Sequence, residues 1–281
     1  MKYKKGHKIK PEIVVNNGSV IFTDGTNLVP PNQISCEAYG YKWDEKNGVC
    51  TAFNYTTKLA RLNRDISNTN IGSSNVTQSG VQNTSIAGQN HQIKGRNRNI
   101  LVSGESHEVE SGIDDASVFG SYGKVKNKGE IVIGGGSGTT DEPLGNSQTS
   151  TIQLGGLTTN NTATNLTIQG DGTSFIEAQN NSVIGFEIKV IGICYGGSSG
   201  TAGHYKYEEI KGAVLVDNGY NVTFSQSTTT IVDVGTTGTS VMAAAGVDPY
   251  ITVKVTGTAN VNIEWFASVQ LTENKLYEVT F

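Results

Sequence analysis

Residues 71–136 read IGSSNVTQSGVQNTSIAGQNHQIKGRNRNILVSGESHEVESGIDDASVFGSYGKVKNKGEIVIGGG, and their spacing governs how the rest of the chain is read. Gly72, Gly88, Gly104, Gly120 and Gly136 fall sixteen residues apart. Ile86, Val102 and Val118 keep that step two residues ahead of a glycine, and Ile93, Val109 and Val125 keep it on a second track. Gly80, Gly95, Gly112 and Gly129 sit roughly midway, so each unit reads as apolar strand, glycine corner, apolar strand, glycine corner. A fixed period marks a repeat architecture. This one is too short for helical repeats and too rich in Gly, Asn and Ser for helices at all. The expected element is a β-solenoid, with strands stacked rung on rung at about 4.8 Å and glycine at corners where φ turns positive.

Large apolar residues are few, and Phe119 is the only ring on the main track. A one-chain coil of about four rungs would have a thin core and two open ends. The spacing therefore predicts three chains around one axis, with Ile86, Ile93, Val102, Val109, Val118 and Val125 buried centrally. Just upstream, residues 58–70 read KLARLNRDISNTN and place Leu59, Leu62 and Ile66 at i, i+3 and i+7. That short helix either gathers three chains into register or packs as one amphipathic turn on its own chain. His91 and His107 are also sixteen apart, each two residues before a track position. Both rings could point at a threefold axis and hold a metal ion or an anion. Gly123 interrupts the column, and an outward, solvated histidine is the commoner case.

The flanks are different in kind. Residues 1–57 form a head with a hairpin signal at 13–23 around Asn16, Asn17 and Gly18. In it, Tyr39, Tyr41 and Trp43 alternate as one strand face, more often the core of a tiny domain than a ligand platform. Its first ten residues carry five lysines and His7, a frayed tail or a docking arm for an acidic surface. Residues 137–165 are polar and Gly/Thr-rich, expected to be a linker with one strand at 151–154. Residues 166–281 alternate strongly, with turn signals at Asp171-Gly172, Asn218-Gly219 and Thr256-Gly257. They predict an antiparallel β-sandwich or jelly roll, so the fold class is all-β. The loop YGGSSGTAGH at 195–204, flanked by aromatics, offers Tyr195, Ser198, Ser199, His204 and Tyr205 as candidate receptor contacts.

Composition bounds the function. With 16% charged and 36% hydrophobic residues but 35 glycines, the chain suits an elongated protein that shares apolar surface between subunits. A net charge of −4 leaves no footprint for nucleic acid. No apolar stretch reads as a signal peptide or a membrane span, so the expected place of synthesis is the cytoplasm. Three cysteines, Cys36, Cys50 and Cys194, lack zinc spacing and are expected to be reduced thiols, although Cys36 and Cys50 could face each other across a hairpin.

Two regions carry a family resemblance. The rhythm NTSIAG…IKG…LVSG…VESG…SVFG…VKNKG resembles the head repeats of trimeric adhesins and the shafts of phage fibres. The segments NNTATNLTIQGDGTSFIEAQNNSVIGFEIKVIG, YEEIKGAVLVDNG and ITVKVTGTANVNIEWFASVQLTEN look like a terminal β-domain recurrent in tailed-phage fibre and spike proteins. The likeness spans about 66–281; the segment YGGSSGTAGHYKY departs from it, and 1–57 matches no anchoring domain. It implies a homotrimeric virion fibre, made in the host cytoplasm. Residues 1–57 would dock on a capsid or tail protein, and the C-terminal domain would meet a host-surface glycan or protein. The alternatives are a trimeric bacterial surface adhesin and a short tailspike with depolymerase activity.

The chain is expected not to be an enzyme and to need no cofactor. No G-x-S-x-G elbow accompanies its four histidines, and Gly134–Gly138 is not followed by Lys-[ST]. Glu105, Glu108, Glu110, Asp114 and Asp115 cluster, but Glu108 and Glu110 flank an inward Val109 and should point outward.

Overall fold

The computed structural model describes residues 2–15, 18–52, 68–137, 144–235, 238–246 and 249–275. Two compact units divide the chain at 66/67. The described residues are nearly all β, with about 2% helix.

In the first unit, β1 (Lys10–Val14), β2 (Val20–Thr23) and β3 (Leu28–Val29) form an antiparallel sheet. The helix α1 (Gln33–Ala38) begins where the Asn32 side chain accepts the Ser35 N–H, and β4 (Lys42–Asp44) pairs with β5 (Val49–Thr51). Tyr39 therefore caps a helix and does not extend the strand face expected for Tyr39, Tyr41 and Trp43. The rings of Tyr39 and Tyr41 meet Phe22 edge-on. Cys36 and Cys50 are joined in a disulfide, which corrects the reduced-thiol expectation; Cys194 is free and buried. The physical reason lies in the core: among the described residues its buried hydrophobic cluster is Val20, Phe22 and the two cysteines, and so small a core commonly needs a covalent staple.

The second unit begins with the solenoid. Its long rungs are β6 (Thr69–Ser73), β8 (Ser85–Gln89), β10 (Leu101–Glu105), β12 (Ser117–Ser121) and β14 (Ile131–Gly135). Its short rungs are β7 (Val76–Thr77), β9 (Gln92–Ile93), β11 (Glu108–Val109) and β13 (Lys124–Val125). Both stacks pair in parallel, each residue opposite the one sixteen away, until Ser117 pairs with Ile131. The last turn is thus two residues short, and Gly134 aligns with Gly120 where Gly136 was expected. A third side carries the bridges from Gln82 to Arg98 and from Arg98 to Asp114, with Val81, Ile100, Ile113 and Ala116 buried behind them. The unit is therefore three-sided, not the two-sided strand–corner alternation expected.

That third side changes the core. Ile86, Ile93, Val102, Val109, Val118 and Val125 are at most 1% exposed inside a single chain. They cannot face an axis between chains, which corrects the trimer-core expectation. The coil closes on itself because all three sides feed one cluster. Leu59, Leu62 and Ile66 lie outside the described residues. Glycine recurs at 72, 88 and 104 for a steric reason. Gly104 has φ of 130°, and a methyl group there would overlap the carbonyl oxygen of Gly120 in the next rung. At the midway corner the left-handed residue of the second turn is Arg96 (φ 65°), not Gly95.

The described part of the expected linker, residues 144–165, is built into the sheets. β15 (Ser147–Thr158) pairs antiparallel with β14 on one side and with β24 (Asn262–Lys275) on the other. β19 (Ser182–Gly196), β20 (Tyr205–Val216) and β21 (Val222–Val234) extend the same sheet beyond β24. One eleven-stranded sheet therefore runs from the solenoid into the C-terminal body. A four-stranded sheet lies apart from it in pairing. Its members are β16 (Ala163–Asn165), β18 (Ile176–Glu177), β22 (Thr239–Ala244) and β23 (Tyr250–Thr256). β17 (Thr167–Ile168) joins the large sheet at β15. A single core cluster draws Ile152, Ile188 and Trp265 from the large sheet and Met242, Ile251 and Val253 from the small one. Gly192 stands beside the Trp265 ring and leaves it room, while the indole N–H donates to Thr158 Oγ1 at 2.9 Å.

Candidate functional site

The histidines come first, because the structure moves them. His91 and His107 are both buried inside the coil, with rings parallel at a centroid distance of 5.1 Å. Each serves the backbone: His91 Nδ1 accepts the His107 N–H at 3.2 Å, and His107 Nδ1 accepts the Gly123 N–H at 3.0 Å. Asn75 Oδ1 does the same for the His91 N–H at 3.1 Å. Asn97 Oδ1 accepts the Ile113 N–H at 2.8 Å on another column. These side chains replace ladder bonds where the chain turns a corner, so the column is structural and the outward, solvated reading is corrected. Burial pushes both imidazoles below their ordinary value, and the neighbouring His91 pushes His107 down further. Among the described residues no group of three or more His, Cys, Asp or Glu could hold a metal ion.

The acidic cluster of the solenoid is outward, as expected, and tied to partners. Lys94 Nζ lies 3.1 Å from Glu108 and 2.8 Å from Glu110, and Lys124 Nζ lies 3.0 Å and 2.7 Å from the same two carboxylates. Partial burial opposes ionisation of Glu110, yet the ammonium groups of Lys124 and Lys94 hold its carboxyl at about 2. Asp114 pairs with Arg98, Asp115 accepts from Asn99, and Glu105 accepts from Gln89.

The candidate receptor loop closes the β19–β20 hairpin. The Cys194 N–H donates to His204 O, the Gly203 N–H to Cys194 O, and the Ser199 N–H to Asn260 O at 3.0 Å. Ser198 and Ser199 are exposed, Tyr195 and Tyr205 stand about half-exposed, and the His204 ring lies against Gly235. The five residues thus gather at one end of the large sheet, beside the turn that enters β24.

Strand register carries that end further than sequence reading did. On the sheet's outer face Phe266 pairs with Ile191, and Ile191 with Tyr207. Ile193 pairs with Tyr205, and Tyr205 with Val234. All but Tyr207 are exposed apolar or aromatic side chains. Beside them is a cleft of 430 Å³ lined by Gln153, Gly155, Gly156, Leu157, Gln169, Gly170, Glu264 and Phe266, with Leu154 and Trp265 beneath. Phe266 was visible in the sequence as a large ring on the outward phase of a strand whose inward phase holds Ile263, Trp265 and Ala267.

No protein-family model matches the chain, and no curated protein matches it. Among solved structures it is similar to the tailspike protein gp49 of Acinetobacter baumannii bacteriophage Fri1, described as a capsular polysaccharide depolymerase. The identity is 10%, the TM-score 0.29, and the match covers 72% of this chain and 36% of that one. It is also similar to the tailspike protein of Acinetobacter baumannii phage AM24, at 10% identity and a TM-score of 0.28, over 75% of this chain and 50% of that one. The chain spans about a third to a half of the length of these proteins. The expectation that the chain is not an enzyme is corrected at this point: a structure it is similar to is described as a depolymerase, and the non-enzyme reading is withdrawn. Among the described residues no helix is long and apolar enough to cross a membrane.

Proposed function

We propose that the chain is a virion fibre or spike protein of a tailed bacteriophage. In this reading it is homotrimeric, held by another virion protein through residues 1–57, and presents its C-terminal end to a host-surface glycan. The observation that carries the reading is the unbroken sheet: β14 pairs with β15 and β15 with β24, so the repeat and the body that bears the exposed face are joined by a strand ladder. A stacked coil fused this way is a rigid spacer with a presenting end. The outer face of the solenoid sheet supports assembly at a place other than the six buried track residues. Leu101, Phe119, Ile131 and Ile133 are exposed there on adjacent rungs, an apolar strip of the kind that marks protein contacts.

Light scattering of the purified chain should give a trimer, and Ile133→Lys with Phe119→Lys should give a folded monomer; a wild-type monomer would overturn the trimer. Gold label on the C-terminus should decorate virions in negative stain, and its absence from purified virions would overturn the virion reading. Release of reducing ends from a capsular polysaccharide preparation separates a spike that cuts from a fibre that only binds.

A further inference from the structure

The cleft beside Phe266 has unused polar capacity. Its floor is Gly155 and Gly156, which carry no side chains, and Gly155 pairs directly with Phe266. Around that floor stand Gln153 and Leu157 on β15, Glu264 and Phe266 on β24, and Gln169 in the turn that follows β17. The Gln169 N–H donates to Gln153 O at 2.9 Å, which fixes the turn against the strand; the Gln153 side chain is exposed, and the Gln169 amide lies over Gly129 where it borders the cleft. Glu264 is exposed and makes no ion pair among the described residues, and no Lys or Arg lines the cleft. Phe266 is 44% exposed and Leu157 57% exposed, on a strand pair whose inner face is otherwise filled. The cleft's 430 Å³ falls in the size range of small-ligand sites.

An exposed ring over a side-chain-free trough, bordered by two amides and a carboxylate, matches one ligand chemistry. A pyranose has an apolar C–H face that packs on an aromatic ring, and a rim of hydroxyls that both donate and accept. An amide offers both roles to such a rim, and a carboxylate accepts from two hydroxyls at once. We propose that this cleft is a saccharide subsite for neutral or amino-bearing hexoses. Phe266 stacks on the sugar face, and Gln153, Gln169 and Glu264 take its hydroxyls or amino group. The uncompensated Glu264 carboxylate turns away uronic and other acidic sugars. The inference rests on the fibre or spike reading only for the biological source of the sugar.

The test uses the full chain and three probes: chitohexaose, a glucosamine hexamer and a galacturonate hexamer, each titrated by calorimetry at fixed ionic strength. Chitohexaose or the glucosamine hexamer should bind and the galacturonate hexamer should not. Phe266→Ala should weaken binding by about tenfold or more, with an unchanged melting curve because the ring is half outside. Glu264→Gln should relax the discrimination against galacturonate. Binding of none of the three, equal binding of all three, or binding unaffected by Phe266→Ala would overturn the subsite. Failure here is separable from failure of the virion reading. A chain that decorates virions and adheres to cells through Phe266→Ala sinks the subsite alone. A chain that binds chitohexaose through Phe266 but is missing from virions sinks the virion reading alone.

Discussion

The two halves of the eleven-stranded sheet are held in different ways. In the antiparallel half, β19 and β24 pair over fourteen positions and pack onto a large cluster shared with a second sheet. In the parallel half each rung touches only the next, and its core is a narrow column of eleven buried residues. Lost hydrogen bonds at the corners are replaced there by side chains sixteen residues away, such as Asn75, His91, Asn97 and His107. Redundancy protects the antiparallel half, whereas in the parallel half each position repeats and a fault in one rung is felt by its neighbours. The halves are welded at β14–β15, and the weld contains buried charge.

The largest effect should come from that weld. Lys126 Nζ lies 2.6 Å from Glu273 Oε2, both side chains at most 3% exposed. Gln179 also donates to that oxygen, and Glu130 Oε2 accepts the backbone N–H groups of Lys126 and Asn127. Lys126→Ala leaves Glu273 buried without its cation, and we expect a loss of about 3–5 kcal/mol in denaturant unfolding. Lys126→Met combined with Glu273→Leu should recover most of it, since the penalty belongs to the unpaired charge. Equal losses in the single and double variants would show that the pair holds the weld by its attraction.

Gly104→Ala comes next, at about 3 kcal/mol, because a Cβ there meets the Gly120 carbonyl and φ is 130°. Hydrogen exchange should lose protection in β8, β10 and β12 while β19 and β24 keep theirs. Simultaneous loss in all five strands would mean that the two halves unfold as one and that their different construction has no energetic consequence.

How much of this was legible follows from the same contrast. Period is a property of sequence alone, so the sixteen-residue step and the parallel stack were readable from Gly72, Gly88, Gly104 and Gly120. The third side was not, because Val81, Ile100, Ile113 and Ala116 share their columns with Asn97 and Thr84, and polar members hide an apolar track. Without it the core looked too thin for one chain. β15 was hidden for a related reason: at its solenoid end the inward positions are Gln148 and Ser150, polar residues that meet the weld. Of the proposed binding face, the 195–204 loop stood out by its glycines. The cleft needed strand register, since Gln153, Gln169 and Phe266 are brought together by pairing rather than by spacing.

Proton uptake should separate the histidine column from the weld by sign. Both solenoid histidines have depressed values relative to the ordinary 6.5, so they fold neutral and the unfolded chain takes up their protons more readily. Their contribution is present above pH 6.5 and is lost as pH falls below it, by up to about 1.4 kcal/mol per histidine per pH unit. Glu130 runs the other way. Burial and the nearby Glu273 raise it above 4.5 despite Lys126, so the weld loses stability as pH rises past 4.5. His107→Asn keeps an acceptor for the Gly123 N–H, as Asn75 does for His91, and should remove much of the acid sensitivity. Glu130→Gln should flatten the alkaline limb. An acid limb unchanged by His107→Asn would remove the histidine column as its source.

The smallest effect should be found on the outer surface of the solenoid, one residue from an inward position. Arg98 and Asp114 are bonded through two nitrogens at 3.1 Å and 2.7 Å, a geometry that looks stronger than any hydrogen bond of the inner column. Arg98 is 61% exposed, however, and its side chain gives up conformational freedom to hold that position. Arg98→Ala should cost less than any inward substitution on the same rung, and less still in high salt. The neighbouring Asn97 points inward and satisfies the Ile113 N–H, so its removal would strand a buried donor. Two adjacent side chains on one rung would then differ in consequence because one faces water and the other the column. A salt-independent loss for Arg98→Ala as large as that for Asn97→Ala would show instead that the surface ladders hold the rungs.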